Sequence, residues 1–271
     1  MNAQEDSSLG DLLTQTESGP RNATKPSDSW LRKTFRGIGQ TLITMGVVVL
    51  LFIVYEVYIT DLFTAQRQSA LNDQLHDEWD DPTIQQDTTF ADLPIGEAFA
   101  IMRIPAFGAD YAQVVLEGTT AEVLEQGPGH YASTAMPGEV GNFSIAGHRV
   151  GKGSPFLNLD KLSPGDSIVF ETKESWFVYR VIGDTDSGAF TDPDYPGIVG
   201  QRIVLPSDTD VIAPLPDGQG GEPSHALLTL TTCHPKFSAA ERMIIHAYLD
   251  GEPLPKAEYP EPADVPALKG A

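Results

Sequence analysis

From Ile38 to Ile59 the chain reads IGQTLITMGVVVLLFIVYEVYI, about 22 residues in which Glu56 is the only charge. At ~1.5 Å per residue a helix of this length covers the roughly 30 Å hydrocarbon core of a bilayer. The run is therefore read as a single membrane-spanning helix over 38–60. It starts too late, is too long and lacks a small-x-small site behind it, which separates it from a cleaved signal peptide. Arg32, Lys33 and Arg36 precede it, whereas Asp61, Asp73, Asp77, Glu78, Asp80 and Asp81 follow. That asymmetry places the N-terminus in the cytosol and everything past about residue 60 outside the cell.

The charge follows the same division. The chain carries a net charge of −21. Its first forty residues hold equal numbers of acidic and basic side chains, so the deficit lies in the outer part. Such a surface disfavours nucleic acid and adsorption to anionic lipid, and suits a soluble domain held off the membrane. The pairs Asp184/Asp186 and Asp192/Asp194 offer carboxylates to a cation. Without EF-hand spacing they read as solvated loop residues, and no metal site or cofactor is expected.

Residues 1–37 are rich in Ser, Thr, Asn, Asp and Gly and read as a disordered cytosolic tail. Residues 61–95 are polar and acidic with some helical spacing at Leu62, Leu71 and Leu75, and read as a stalk or mobile linker. Beyond them come short apolar runs punctuated by Gly, Pro, Asn and Asp: Ala112–Leu116, Gly141–Ala146, Ser167–Glu171, Trp176–Ile182, Arg202–Leu205, Ala226–Thr232 and Met243–Leu249. Their length and β-branched content predict strands of one all-β barrel or sandwich. Thr119–Leu124 is the one clear helical segment. Residues 252–271, with five prolines, are read as an extended tail that adds little core.

The chain has a single cysteine, Cys233. Outside the cell an isolated thiol cannot form an internal disulfide, so it is either an inert core atom or a nucleophile. A thiol at its ordinary pKa is mostly protonated at neutral pH, and a nucleophilic one needs a neighbouring base or cation. His234 follows Cys233 directly and would point to the opposite face of an extended segment. His225 lies eight residues back, about 26 Å along an unbroken strand at ~3.3 Å per residue. Both are poor partners. His148, just after Gly147 at the end of an apolar run, can turn into a cleft, and His246 competes with it on the last predicted strand. Arg242, nine residues beyond Cys233, returns beside the sulfur if the loop between them is a hairpin. There it would stabilise an oxyanion, or alternatively form a surface ion pair with Glu241 or another carboxylate.

These residues resemble the sortase family. Thr229-Leu230-Thr231-Thr232-Cys233 is similar to its TLxTC signature, Arg242 to its downstream arginine, and Ala146-Gly147-His148-Arg149 to the segment around its histidine. The resemblance runs from Ile104 to Tyr248. It is strongest to class E, found in high-GC Gram-positive bacteria, through Cys233-His234-Pro235-Lys236-Phe237, the short gap to Arg242, and Pro128-Gly129-His130-Tyr131 ahead of Gly141-Asn142-Phe143.

The resemblance implies a closed eight-stranded β-barrel with short helices over 96–251, behind one transmembrane helix. It implies a single-pass membrane enzyme, a cysteine transpeptidase that needs no cofactor. Cys233 would attack the Thr–Gly bond of a C-terminal sorting signal, of LAxTG rather than LPxTG type, and form a thioester. An amine of a lipid-linked cell-wall precursor would resolve it, joining a surface protein to the wall. His148 would be acid and then base, and Arg242 with a backbone N–H would hold the oxyanion. Tyr131 would read the second motif residue, with Thr231 and Thr232 beside the nucleophile contacting substrate or shaping the oxyanion site. A hydroxyl there could equally satisfy a buried strand end. A hydrolytic surface protease and a non-enzymatic anchored β-domain with Cys233 as a core thiol remain open.

Overall fold

The computed structural model describes residues 30–55, 60–81, 90, 93–216 and 220–269. Positions 1–29 of the tail read over 1–37 and the linker positions 82–89 and 91–92 lie outside these residues, as does 56–59 of the predicted span. Helix α1 runs Trp30–Val54. It begins ahead of Ile38 and takes in Arg32, Lys33 and Arg36, for which composition predicts an unstructured tail. Its segment Arg32–Val54 is long and apolar enough to cross a bilayer, and its large apolar side chains are exposed.

Beyond the helices, ten strands lie among the described residues: β1 (Ala98–Arg103), β2 (Ala112–Glu117), β3 (Gly129–His130), β4 (Gly141–Ala146), β5 (Ser167–Glu171), β6 (Ser175–Val181), β7 (Gln201–Val204), β8 (Ala226–His234), β9 (Glu241–Leu249) and β10 (Leu254–Pro255). The seven runs expected as strands are β2 and β4–β9, with ends moved by a residue or two. Pairing follows β6-β5-β1-β2-β3-β4-β8-β9, and β9 returns to β6, so eight strands close a barrel. The short β10 adds to β6, and β7 adds to the other half of β9. Alternation along each strand fills the interior: Phe143 and Ile145 of β4, Leu228 and Leu230 of β8, and Met243, Ile245 and Ala247 of β9 share one core. Each fully buried Leu, Ile or Phe contributes roughly 1.5–3 kcal/mol of transfer free energy.

Two segments pack against this barrel where the sequence reading left them loose. Residues Thr60–Asp80 form helix α2 rather than a stalk. Its Leu75 and Trp79 are buried with Ile101 of β1 and Val114 of β2. The Gln68 amide acts as a surrogate strand partner. Its Oε1 accepts from Val114 N at 2.7 Å while Nε2 donates to Val114 O at 3.2 Å and Gln126 O at 2.7 Å. The proline-rich tail also adds core: Val265 is fully buried against Val169, Trp176 and Val178, and Trp176 Nε1 donates to Tyr259 O at 2.8 Å. Lys256 of that tail joins both ends of the domain. Its Nζ lies 2.7 Å from Glu171 Oε1 and 4.4 Å above the Trp79 ring. The short helix α3 (Ala121–Leu124) forms where expected, with Thr120 Oγ1 capping Val123 N.

Candidate active site

Strand β8 runs between β4, to which it is parallel, and β9, to which it is antiparallel. The last β4–β8 pair is Ala146 with Thr231, and Gly147 N then donates to Thr231 O at 3.1 Å. Continuing that register by two positions sets residue 148 level with residue 233. On the other side Cys233 is paired directly with Arg242. Alternation sends Leu228 and Leu230 into the barrel, so Thr229, Thr231 and Cys233 belong to the outer face, as do Asn142, Ser144 and Ala146 on β4 and Arg242, Ile244 and His246 on β9. Cys233 and Arg242 thus share one edge of the barrel on its outer side, and β4 runs out toward the same edge two residues before His148.

Cys233 is half-buried, not sealed in the core. Arg242 is held by its own turn, with Nη1 donating to Ala239 O at 3.0 Å and to Glu241 O at 2.9 Å. Among the described residues it pairs with no carboxylate; its contact with Glu241 is to the backbone carbonyl. A guanidinium braced in this way keeps remaining N–H groups for an incoming oxyanion.

His148 opens a tight loop that Phe156 N closes onto His148 O at 3.1 Å. Within it, residues 151–154 all take positive φ, between 44° and 76°. Lys152, in this left-handed stretch, forms an ion pair with Glu125. Burial, reinforced by the Lys152 charge and opposed by Glu125, holds His148 below the usual imidazole range. The ring is therefore mainly neutral near pH 7 and able to accept a proton.

Three of the other histidines are placed elsewhere. His246 is fully buried, its Nδ1 2.9 Å from Thr229 Oγ1, and burial with the nearby Arg202 charge pushes its pKa down to about 3. It is a neutral core group and no longer competes with His148. His130 is buried with Nδ1 2.7 Å from Glu117 Oε2, and His225 packs on the ring of Tyr195.

Of the residues expected to contact substrate, Tyr131 follows β3 and its hydroxyl lies 3.0 Å from Thr231 Oγ1, which joins the two on the outer face. Thr232 points the other way, and its hydroxyl donates to Gly147 O at 2.7 Å. It satisfies a strand end, the alternative that the sequence left open. Sequence reasoning missed the Glu125–Lys152 pair beside His148, which needs contacts between segments far apart in the chain. It gives Arg149 no role beyond the segment around His148 and sets His234 aside as a partner for the thiol, so the bond between these two neighbours of His148 and Cys233 goes unread.

Residues 102–250 match the family model described as Sortase domain. Sortase SrtE1 of Streptomyces coelicolor is 34% identical over 217 residues, covering 78% of this chain and 55% of that protein, so the chain spans about half of that relative's length. The SrtF sortase from Corynebacterium diphtheriae is similar in structure with a TM-score of 0.60 and 42% identity, covering 70% of this chain and 98% of that one. Sortase E from Streptomyces avermitilis aligns with a TM-score of 0.52 and 36% identity over 65% of this chain and 99% of its own.

Proposed function

Because the chain belongs to the sortase family, with class E relatives among its matches, we propose that it is a membrane-anchored cysteine transpeptidase. Its substrates are surface proteins bearing a C-terminal LAxTG-like sorting signal, and its acceptor is an amine of a lipid-linked cell-wall precursor. The observation that carries this reading is the direct pairing of 233 with 242 across β8 and β9, at the end of β8 beside which β4 runs out two residues short of His148. The half-exposed thiol argues against a non-enzymatic domain in which Cys233 would be a core atom.

In this account Cys233 Sγ attacks the threonine carbonyl as neutral His148 takes the thiol proton. Arg242 and a backbone N–H near Cys233 hold the oxyanion. The C–N bond breaks as the imidazolium returns its proton to the glycine nitrogen, leaving a thioester. A neutral amine then attacks; His148 accepts its proton and passes it to the departing sulfur as the new amide forms. Helix α1 is the anchor, with the basic residues at its start on the cytosolic side and the barrel outside. Tyr131, next to Thr231, closes over the second motif residue, where packing alone discriminates by roughly ten- to two-hundredfold.

The test is product analysis of full-length protein with Leu-Ala-x-Thr-Gly and Leu-Pro-x-Thr-Gly peptides, with and without a short amine. The expected result is cleavage after threonine, with the alanine peptide preferred and the amine captured. Hydrolysis that ignores the amine would make the protein a protease, and no cleavage of either peptide would refute the reading.

A further inference from the structure

Cys233 lies on the outer face of β8, so its neighbour His234 turns the other way, and Arg149, three residues past the end of β4, is buried against Met243 of the core. Arg149 is 3% exposed although it carries a permanent charge. Its Nη1 lies 3.0 Å from His234 Nδ1 and 3.3 Å from Met243 Sδ, and its Nη2 lies 3.1 Å from Asp160 Oδ1 in the short 3-10 helix Leu159–Lys161. Arg149 Nε is buried without a hydrogen-bond partner among the described residues. A guanidinium has only donors, so His234 Nδ1 is the acceptor in this pair. One buried cation thus joins the ends of β4 and β8 to β9 and to the 3-10 helix.

The β4–β8 backbone ladder ends at Ala146 and Thr231. Past that point side chains take over its rungs. Before the reacting pair, Thr232 Oγ1 donates to Gly147 O at 2.7 Å. After it, Arg149 donates to His234. His148 lies between Gly147 and Arg149, and Cys233 lies between Thr232 and His234. Both reacting residues are bracketed by the same two cross-links. Burying a charge is costly unless its donors are well matched, and here the matched donors span the two positions whose separation proton transfer depends on.

We propose that Arg149 is a positioning residue: through its bond to His234 it fixes the spacing of the His148 segment against Cys233. This rests on the thioester-transfer reading above. Its consequence is selective. An amide leaving group must be protonated by His148, whereas a thioester leaving group departs unaided, and near pH 9 an ordinary thiol ionises without a base. Misplacing His148 should therefore damage acylation by the amide and spare acylation by the thioester.

The experiment uses the full-length chain in detergent with a sorting peptide and its analogue carrying a thioester at the Thr–Gly linkage, the latter assayed near pH 9. For Arg149→Lys, kcat on the amide should fall ~100-fold with KM within about twofold, the usual penalty for a small displacement of a reacting group. Single-turnover release of the thiol leaving group from the thioester should stay within about threefold of wild type, since that acylation step needs no protonated leaving group, whereas later capture of the acyl group by an amine again uses His148. Two further variants decide the matter if Arg149→Lys folds poorly. His234→Asn keeps an acceptor where Nδ1 stood and should work nearly as wild type; His234→Leu removes it and should reproduce the selective loss. Equal loss on both substrates, or full amide activity in His234→Leu, would overturn the positioning role while leaving the transpeptidase reading intact. A wild-type protein acylated by neither substrate would overturn both.

Discussion

Cys233 on β8 and Arg242 on β9 are directly opposed across the antiparallel ladder, and the guanidinium of Arg242 is braced by the carbonyls of Ala239 and Glu241. Backbone pairing, not side-chain flexibility, sets their relation. Arg242→Lys should therefore fail although it keeps the charge, because a single ammonium cannot satisfy both carbonyls and still present a planar fork to an oxyanion. We expect kcat/KM to drop by about 10²–10³-fold, the range for losing one oxyanion donor, with an unchanged circular dichroism spectrum. Near-normal turnover would reduce Arg242 to a general electrostatic role.

The Lys152–Glu125 pair bears on His148 with opposite signs. Lys152 lowers its pKa and Glu125 raises it. Activity that needs neutral His148 is lost as pH falls through that pKa. In Lys152→Gln the acid limb of the kcat/KM profile should move to higher pH, and in Glu125→Gln to lower pH. Both residues are well exposed, so added salt should shrink the two displacements. Movement of both limbs in one direction would show that loop geometry, not charge, dominates.

His246 predicts an acid sensitivity of folding. Its pKa in the native protein, about 3, lies below the 6.5 expected for an unfolded chain. Between those values the unfolded state binds more protons, so stability falls as pH drops from about 6.5 toward 3, by at most ~1.4 kcal/mol per pH unit. Urea unfolding at pH 7 and pH 5 measures it. His246→Gln should flatten the dependence, and folded His246→Ala should retain far more transpeptidation than His148→Ala.

Helix α2 packs on the barrel through Leu75 and Trp79. A chain starting at Thr60 should be soluble, folded and active. One starting after Asp81 loses the Gln68 bonds to Val114 and uncovers Ile101, and should melt much lower. Trp79→Ala alone should cost about 3–5 kcal/mol, as for other buried aromatic truncations. Thermal unfolding compares the three, and equal melting temperatures would mean that α2 is dispensable.

Much of this architecture is visible in the sequence because half-buried strands alternate and turns carry Gly, Pro and Asn. The exceptions have physical causes. Strand β1 (Ala98–Arg103) is covered on both sides, by the core at Phe99 and Met102 and by α2 at Ile101, so alternation vanishes. The buried stripe of α2 runs Thr64, Gln68, Leu71, Leu75, Trp79 at helical spacing, but its first two members are polar and disguise it. Prolines in 252–271 suggested an open tail, yet Val265 and Tyr259 use that extended backbone to cover Trp176. In the site, the Cys233–Arg242 hairpin is local and legible. The Arg149–His234 and Lys152–Glu125 contacts depend on register between distant segments, which the pattern of one chain does not encode in readable form.

The central claim is that Cys233 carries the acyl group, and intact mass spectrometry after a brief acidic quench tests it most directly. Incubated with a sorting-signal peptide and no amine, wild-type protein should gain the mass of the fragment ending in threonine. Proteolytic mapping should place that adduct on Cys233, added hydroxylamine should release it, and Cys233→Ala should remain unmodified with its fold intact. Cleavage by Cys233→Ala, or product release from wild type with no adduct under any quench, would contradict the account.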